Sequence, residues 1–128
     1  MITIKKLQLV VTLIMFSIFT NHAIAEGVKL DDDGIKKALI GKTCDGHNVK
    51  KGKDYKLFTE SESQAIHQNS KRVKRVDWEA DGDEHCIHFK NAKCGSLYDM
   101  GNGVYHKKNN GKHKNTLKNC VDGNTIKI

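Results

Sequence analysis

The chain has 128 residues, with 22 Lys and Arg against 15 Asp and Glu, four cysteines and no proline. This length suits one domain and excludes a TIM barrel or a doubly wound α/β sheet, which need longer chains. The formal net charge of +7 at pH 7 favours anionic partners.

The N-terminal region predicts a cleaved secretory signal peptide. Lys5 and Lys6 precede a mostly apolar run over residues 7–19, and small residues follow at Ala23 and Ala25. A basic start, an apolar run and two small residues before the cleavage point are the three parts of such a signal. The run ends too early for a stable membrane span, which requires about 20 consecutive apolar residues.

Cleavage would leave one mature domain. We therefore expect a signal peptide over residues 1–25 and a single secreted β-domain over residues 26–128, located in the periplasm or outside the cell. The mature domain would hold 20 basic and 15 acidic residues, a formal charge of +5. No later segment reaches membrane-spanning length, so we expect no transmembrane segment after cleavage.

The predicted elements begin with a short helix. Asp33 is a candidate N-cap for a helix over Gly34–Ile40, and Gly41 is a candidate helix stop. Beyond Cys44 the pattern alternates, and turn residues recur about every ten positions, which is typical of antiparallel strands. We predict eight short strands, at residues 55–58, 65–67, 73–78, 86–89, 96–98, 104–106, 116–117 and 125–128. The fold class is therefore mainly β, a small antiparallel meander or lipocalin-like barrel with one short N-terminal helix.

The four cysteines predict two disulfides, because a small exported domain with few large apolar side chains needs covalent cross-links. Seven residues separate Cys86 from Cys94, and residues 91–92 among them suit a tight reversal between neighbouring strands. The remaining pair, Cys44 and Cys120, would then connect the start of the domain to its end. A four-cysteine zinc site is the alternative, but such sites use paired C-x-x-C motifs, which this sequence lacks.

Two basic clusters predict an anion-binding surface. Alternation in the first cluster places Arg72 and Lys74 on one face of a strand and Arg75 on the other. Candidate partners are an anionic envelope component, such as a polysaccharide or a lipid headgroup, or an acidic protein. Nucleic acid is not expected, because the core requires most of the few aromatic residues. The predicted anion-binding residues are Arg72, Lys74, Arg75, Lys107, Lys108, Lys112 and Lys114.

Two histidines provide an alternative function. His106 and His113 flank a turn over residues 109–111, and either likely hairpin register places them on the same face. With a third ligand they could hold Zn²⁺ or Cu²⁺. The candidates for that third ligand are His47, His85 and His88. The principal interpretation, by contrast, requires no cofactor.

Enzyme activity is not expected, because no serine has nucleophile-elbow glycines and an oxidised cysteine is not a nucleophile. The sequence therefore favours a secreted or periplasmic, non-enzymatic binding module for an anionic ligand or a protein partner, and we expect a monomer. A further alternative is an inhibitor of a secreted or host enzyme, carried on a disulfide scaffold.

Residues spread over positions 38–124 resemble a family of small exported bacterial β-domains of unknown function. In that family a strand with Trp leads through a Gly-Asp turn to the first Cys of a local pair, as at Trp78, Gly82-Asp83, Cys86 and Cys94 here. The resemblance implies a lipocalin-like or meander sheet and a Cys86–Cys94 disulfide, and it implies no reaction. The other matching residues are Leu39, Gly41, Thr43, Tyr55, Phe58, Tyr105, Gly111, Gly123 and Asn124.

Overall fold

The computed structural model describes residues 27–127, which form nine β-strands and one α-helix. The helix, α1, spans Asp32–Leu39 and lies between β1 and β2. The strands are β1 (Val28–Lys29), β2 (Lys42–Asn48), β3 (Lys53–Thr59), β4 (Gln64–Gln68), β5 (Val73–Asp81), β6 (Glu84–His88), β7 (Ala92–Asp99), β8 (Tyr105–Asn109) and β9 (Lys112–Asp122).

Strands β2 to β9 form a closed, eight-stranded antiparallel barrel. Each strand pairs with its neighbours in sequence, and β9 pairs with β2, which closes the barrel. The two-residue β1 lies outside this circuit and pairs with the end of β7. The prediction of a mainly β, antiparallel barrel with one short N-terminal helix is therefore confirmed.

The strand predictions differ from the structure in two places: one observed strand was not in the predicted list, and one predicted strand is not observed. β2 was not among the predicted strands, because Asp45, Gly46 and Asn48 are residues that strands usually disfavour. Its backbone nevertheless pairs with both β3 and β9. The predicted strand at residues 125–128 is not a strand over its described part, because the N–H groups of Thr125 and Ile126 donate to side-chain oxygens.

The helix begins two residues earlier than predicted. Its N-cap is Asp31, not Asp33, and the Asp31 carboxylate accepts a hydrogen bond of 2.8 Å from the Gly34 N–H. At the start of the helix, the Asp32 and Asp83 N–H groups each donate to the other residue's carboxylate, at 3.1 and 2.8 Å. These bonds connect α1 to the turn between β5 and β6.

The helix end of the barrel is filled with apolar side chains. Ile35 and Leu39 of α1 are fully buried, and the helix contacts β2, β5 and β6. They belong to one core cluster with Leu57, Ala65, Val76, Trp78, Ile87, Leu97 and Leu117 from the strands. The opposite end is formed by the loops at residues 49–52, 69–72, 89–91 and 110–111, and no helix of residues 27–127 lies across it. It is called the open end below.

Both predicted disulfides are present, Cys86–Cys94 and Cys44–Cys120. Cys86 and Cys94 are direct partners in the β6–β7 ladder. Cys44 and Cys120 connect β2 to β9, where a bulge shifts the register. The Cys44–Cys120 disulfide therefore links β2 to β9, which are the first and last strands of the barrel in chain order.

The predicted signal peptide, residues 1–25, lies outside the described part of the chain. Within residues 27–127, no helix has the length and apolar character needed to cross a membrane.

Candidate functional site

A cavity of about 790 Å³ occupies the open end of the barrel interior. Its deep part is lined by side chains that are almost fully buried, and its outer part by exposed polar and basic ones. The deep residues are His85, Ile87, Lys107 and Leu117, and the outer ones include Lys50, Lys53, Asn69, Lys93 and Lys114. The cavity thus combines a buried, partly apolar interior with a charged entrance.

A lysine–histidine pair lies at the buried side of this cavity. The Lys107 side chain is only 6% exposed, and its Nζ lies 3.0 Å from His85 Nδ1 and 2.9 Å from the Lys93 backbone oxygen. The Lys107 amine donates to the Lys93 oxygen, and His85 Nδ1 accepts from the amine when the ring proton of His85 lies on Nε2. The His85 ring is fully buried and packs beside Trp78, with 5.5 Å between the ring centroids.

The barrel interior shifts both members of the pair towards their neutral forms. Burial lowers the pKa of Lys107 to about 7, although the negative charge of Glu84 opposes the shift. Burial, and then the positive charge of Lys107, hold the pKa of His85 well below its usual value. Removing a cation from water without a counter-ion disfavours the charged state, which explains the direction of both shifts.

Two glycines inside strands make room for the polar side chains of the cavity. A Cβ at Gly95 would lie 2.8 Å from the Lys108 backbone oxygen and 3.0 Å from Lys107 Cγ. A Cβ at Gly46 would overlap the ring of Tyr55. A glycine within a strand often marks such a close approach. The strand sequences therefore accommodate the side chains of Lys107 and Tyr55 inside the barrel.

Aromatic rings form one wall of the cavity. The rings of Tyr55 and His67 stack with 5.0 Å between centroids, and Phe89 packs edge-on against His67 at 5.1 Å. The Tyr55 hydroxyl donates a 3.0 Å hydrogen bond to Asn115 Oδ1. Burial raises the pKa of Tyr55 to about 12, whereas burial and then the charge of Lys74 lower the pKa of His67. This wall offers flat, weakly polar surface to a ligand.

We expect Gly46→Ala to displace the Tyr55 ring. The protein should lose about 1–3 kcal/mol of stability, as other overpacked interiors do. The pKa of Tyr55 should fall from about 12 towards the ordinary value of about 10 because the ring becomes more hydrated. Absorbance titration of tyrosinate, with Tyr55→Phe to assign the signal, measures this change. His47→Ala, on the neighbouring half-buried residue, is the control, and an unaltered Tyr55 titration in Gly46→Ala would contradict the packing described here.

Charge is divided between the two ends of the barrel. The four loops of the open end, with two strand residues on each side of each loop, contain ten basic residues and one acid, Asp54. The ten are Lys50, Lys51, Lys53, Lys71, Arg72, Lys74, Lys90, Lys93, Lys108 and Lys112. Acidic residues concentrate at the helix end instead: Asp31, Asp32, Asp33, Glu60, Glu62, Asp81, Asp83, Glu84, Asp99 and Asp122.

The predicted anion-binding residues do not form a single surface. Lys107 and Lys114 line the cavity, and Lys74 lies 5.7 Å from the centre of the Phe89 ring at its entrance. The expectation that Lys107 belongs to an exposed cluster was wrong, because its side chain points into the barrel. The others are exposed or half-buried outside the cavity lining: Arg72, Arg75, which pairs with Glu60, Lys108, which lies over the Tyr98 ring, and Lys112.

His106 and His113 do come together on one face of the β8–β9 hairpin. Their rings stack with 3.8 Å between centroids, and His113 Nε2 lies within hydrogen-bond distance of the Asn115 backbone oxygen and of Thr116 Oγ1. Burial, and then the charges of His113 and Lys108, lower the pKa of His106.

Among the described residues, no third metal ligand accompanies this pair. The candidates have other partners: His85 contacts Lys107, His47 contacts Asp54, and His88 contacts Glu79. In the part of the chain that the structure describes, no three His, Cys, Asp or Glu side chains come close enough together to hold a metal ion.

Sequence reasoning missed most of the cavity wall. Tyr55, His67 and Phe89 were placed in predicted strands but not assigned to a site, and His85 was considered only as a candidate metal ligand. A signal was available, because Tyr55 alternates with Leu57, and His85 alternates with Ile87 and Phe89, so that each shares a face with a core residue. Gly46 and Gly95, inside strands, were a second signal.

Comparison of the chain with models of known protein families, with curated proteins and with solved structures finds no match in any of the three.

Proposed function

We propose that this protein is a non-enzymatic binding module that takes an anionic ligand, with an aromatic or apolar part, into the open end of its barrel. The observation that carries the proposal is the position of the cavity at the open end, whose loops and adjoining strand residues contain ten basic residues and one acid. The two disulfides support a location outside the cytoplasm, because such bonds persist in oxidising compartments. Membership of the exported β-domain family stays a prediction.

Electrostatics explains why the entrance favours anions. A concave surface with like charges at its rim and low-dielectric walls concentrates the field and raises the local concentration of oppositely charged ligands. Asp54, the one acid at this end, lies 2.7 Å from His47 Nδ1. The basic side chains at the entrance are therefore left to attract a ligand.

The buried part of the cavity favours a ligand with a flat or apolar part. Tyr55, His67 and Phe89 supply ring surface, and Ile87 and Leu117 supply aliphatic surface. Ligand cavities commonly combine such apolar walls with a few polar groups that fix orientation. The envelope component or acidic protein expected from the sequence would have to present a group of this kind to the cavity.

Binding of 1-anilinonaphthalene-8-sulfonate, an aromatic anion, tests the proposal by fluorescence. We expect saturable binding that weakens as the salt concentration rises, because exposed charges are screened. The neutral N-phenyl-1-naphthylamine should bind more weakly and without salt dependence. The double variant Lys53→Gln/Lys114→Gln should bind the sulfonate about tenfold more weakly at low salt, since a factor of ten corresponds to about 1.4 kcal/mol.

The matched control is Lys36→Gln/Lys37→Gln, which changes the net charge equally but alters the helix at the other end. It should leave the dissociation constant within about twofold, because these charges are distant from the cavity and screened. Equal losses in the two variants would mean that only net charge matters. Equal, salt-independent binding of the neutral compound would make the cavity a site for apolar ligands. Either outcome would overturn the proposal.

The metal-binding alternative depends on His106 and His113 alone. The enzyme-inhibitor alternative depends only on the size of the domain and on its predicted compartment. Neither has a built site among residues 27–127 comparable with the cavity, so the anionic ligand remains the function that we propose.

A further inference from the structure

We propose that Lys107 forms a Schiff base with a carbonyl group of the ligand, so that the cavity captures an anionic aldehyde or ketone covalently and reversibly. The inference rests on the proposed function, because it places the ligand in the same cavity with its anionic end at the basic entrance. It adds the chemistry of the other end of the ligand, which would meet the buried amine.

The hydrogen bonds of Lys107 fit a neutral amine. A neutral amine has two N–H bonds, and the two acceptors present, His85 Nδ1 and the Lys93 backbone oxygen, use both of them. An ammonium would carry a third hydrogen, for which the described residues provide no acceptor. We assign the ring proton of the neutral histidine to Nε2, so that Nδ1 accepts from the amine. The fourth tetrahedral direction of Nζ is then left for the lone pair that makes an amine nucleophilic.

The surroundings of Lys107 are those of a reactive lysine. The side chain lines the cavity, is almost fully buried, and makes no ion pair within 4.0 Å among the described residues. Desolvation in an apolar pocket is one of the ways in which proteins activate lysine for Schiff-base chemistry. With its pKa at about 7, a large share of Lys107 is neutral at pH 7–8, whereas an exposed lysine, with a pKa of about 10.4, is almost entirely charged.

If the role of Lys107 were only structural, burying its amine would reduce the stability of the fold without a compensating function. Gly95 leaves the space that the Lys107 stem occupies, and an unbranched apolar side chain such as Met would fill most of the same space without burying an amine. The polar pair therefore indicates a chemical role for the amine.

The reaction balances without an added oxidant or reductant. The Lys107 lone pair attacks the carbonyl carbon, and the carbonyl π electrons move to the oxygen. The nitrogen loses a proton, with His85 Nδ1 placed to accept it, and the oxygen gains one, which gives a carbinolamine. The hydroxyl then takes up a proton from the solvent and leaves as water while the nitrogen lone pair forms the C=N bond, and the resulting iminium returns one proton to the solvent as it becomes the neutral imine. Overall, one amine and one carbonyl give one imine and one water, and hydrolysis reverses the step.

Reductive trapping with 4-formylbenzoate tests the inference, because this probe combines an aldehyde, an aromatic ring and a carboxylate. We expect borohydride to fix one adduct per protein, and peptide mapping of the unmodified sequence to locate it on Lys107. The labelling rate should reach half of its maximum near pH 7. Lys107→Met should abolish the fast adduct, while Lys118→Met, on an exposed lysine of β9, should retain it.

The outcomes separate the inference from the proposed function. Labelling spread over exposed lysines, with a rate that rises only above about pH 9, would overturn the inference.

The non-carbonyl analogue 4-(hydroxymethyl)benzoate serves as a second probe, measured by its displacement of 1-anilinonaphthalene-8-sulfonate. If it binds but 4-formylbenzoate forms no Lys107 adduct, the inference is wrong and the proposed function stands. If neither the sulfonate nor the two benzoates bind, both are wrong. Because mapping uses the original chain, the result does not depend on the folding of Lys107→Met.

Discussion

The free energy of unfolding should rise by about 3 kcal/mol between pH 7 and pH 9.5, because the folded chain disfavours a charged Lys107. The pKa of Lys107 is about 7 in the folded protein, whereas a lysine in the unfolded chain has a pKa of about 10.4. Between these values the unfolded chain binds more protons than the folded one. Stability therefore rises with pH in this window and levels off above the unfolded pKa.

Two other groups define the shape of the profile. The pKa of His85 is lowered on folding, so its contribution also grows as the pH rises towards 6.5. The pKa of Tyr55 is raised to about 12 on folding, so above about pH 10 the unfolded chain loses its tyrosine proton first and stability falls. We expect maximum stability at about pH 9–10, above the range of about pH 5–8 that is usual for proteins.

Urea unfolding at a series of pH values, with both disulfides intact, measures this profile. Lys107→Met should remove most of the rise between pH 7 and pH 9.5, and Lys118→Met should retain it, because Lys118 is exposed. A rise that is equally large in both variants would come from general surface charge, and the assignment to Lys107 would then be wrong.

Removal of the Cys44–Cys120 disulfide should cost about 4 kcal/mol, and removal of Cys86–Cys94 only about 2.5 kcal/mol. The Cys44–Cys120 disulfide joins cysteines 76 positions apart, and the Cys86–Cys94 disulfide joins cysteines 8 positions apart. In the chain-entropy account, a longer closed loop restricts the unfolded chain more strongly. The long disulfide also fastens β2 to β9, the pairing that closes the barrel.

The double variants Cys44→Ala/Cys120→Ala and Cys86→Ala/Cys94→Ala provide the comparison, since each removes two thiols and leaves none free. Urea unfolding at one pH gives both free energies. Equal losses, or a larger loss for the short disulfide, would mean that local packing outweighs the restriction of the unfolded chain.

Much of the barrel could be predicted from short-range patterns. Seven predicted strands lie in β3 to β9, because alternation and turn residues are encoded within a few positions. The Asn110-Gly111 turn, with positive φ at both residues, is an example of such a local signal. β2 was missed because its residues disfavour strands in isolation and pair only when the barrel closes.

The cavity could not be predicted in the same way. Alternation shows that Lys107 lies on the opposite face from His106 and Lys108, but it does not show which face is inside. The residues that share its face in β8, Tyr105 and Asn109, are not strongly apolar and give no indication. The pairing of β8 with β7 places Gly95 beside Lys107, and so determines that the Lys107 side chain points into the barrel. This pairing is a long-range property of the closed barrel.

The separation of acidic from basic residues gives the molecule an electric dipole along the barrel axis, with its positive pole at the open end. An external field exerts a torque on such a dipole, so the protein turns as it approaches a negatively charged surface. It arrives with the barrel mouth facing that surface and the helix turned away. Adsorption to a cation-exchange resin should accordingly cover the cavity, while coupling through the helix end should leave it free for ligands.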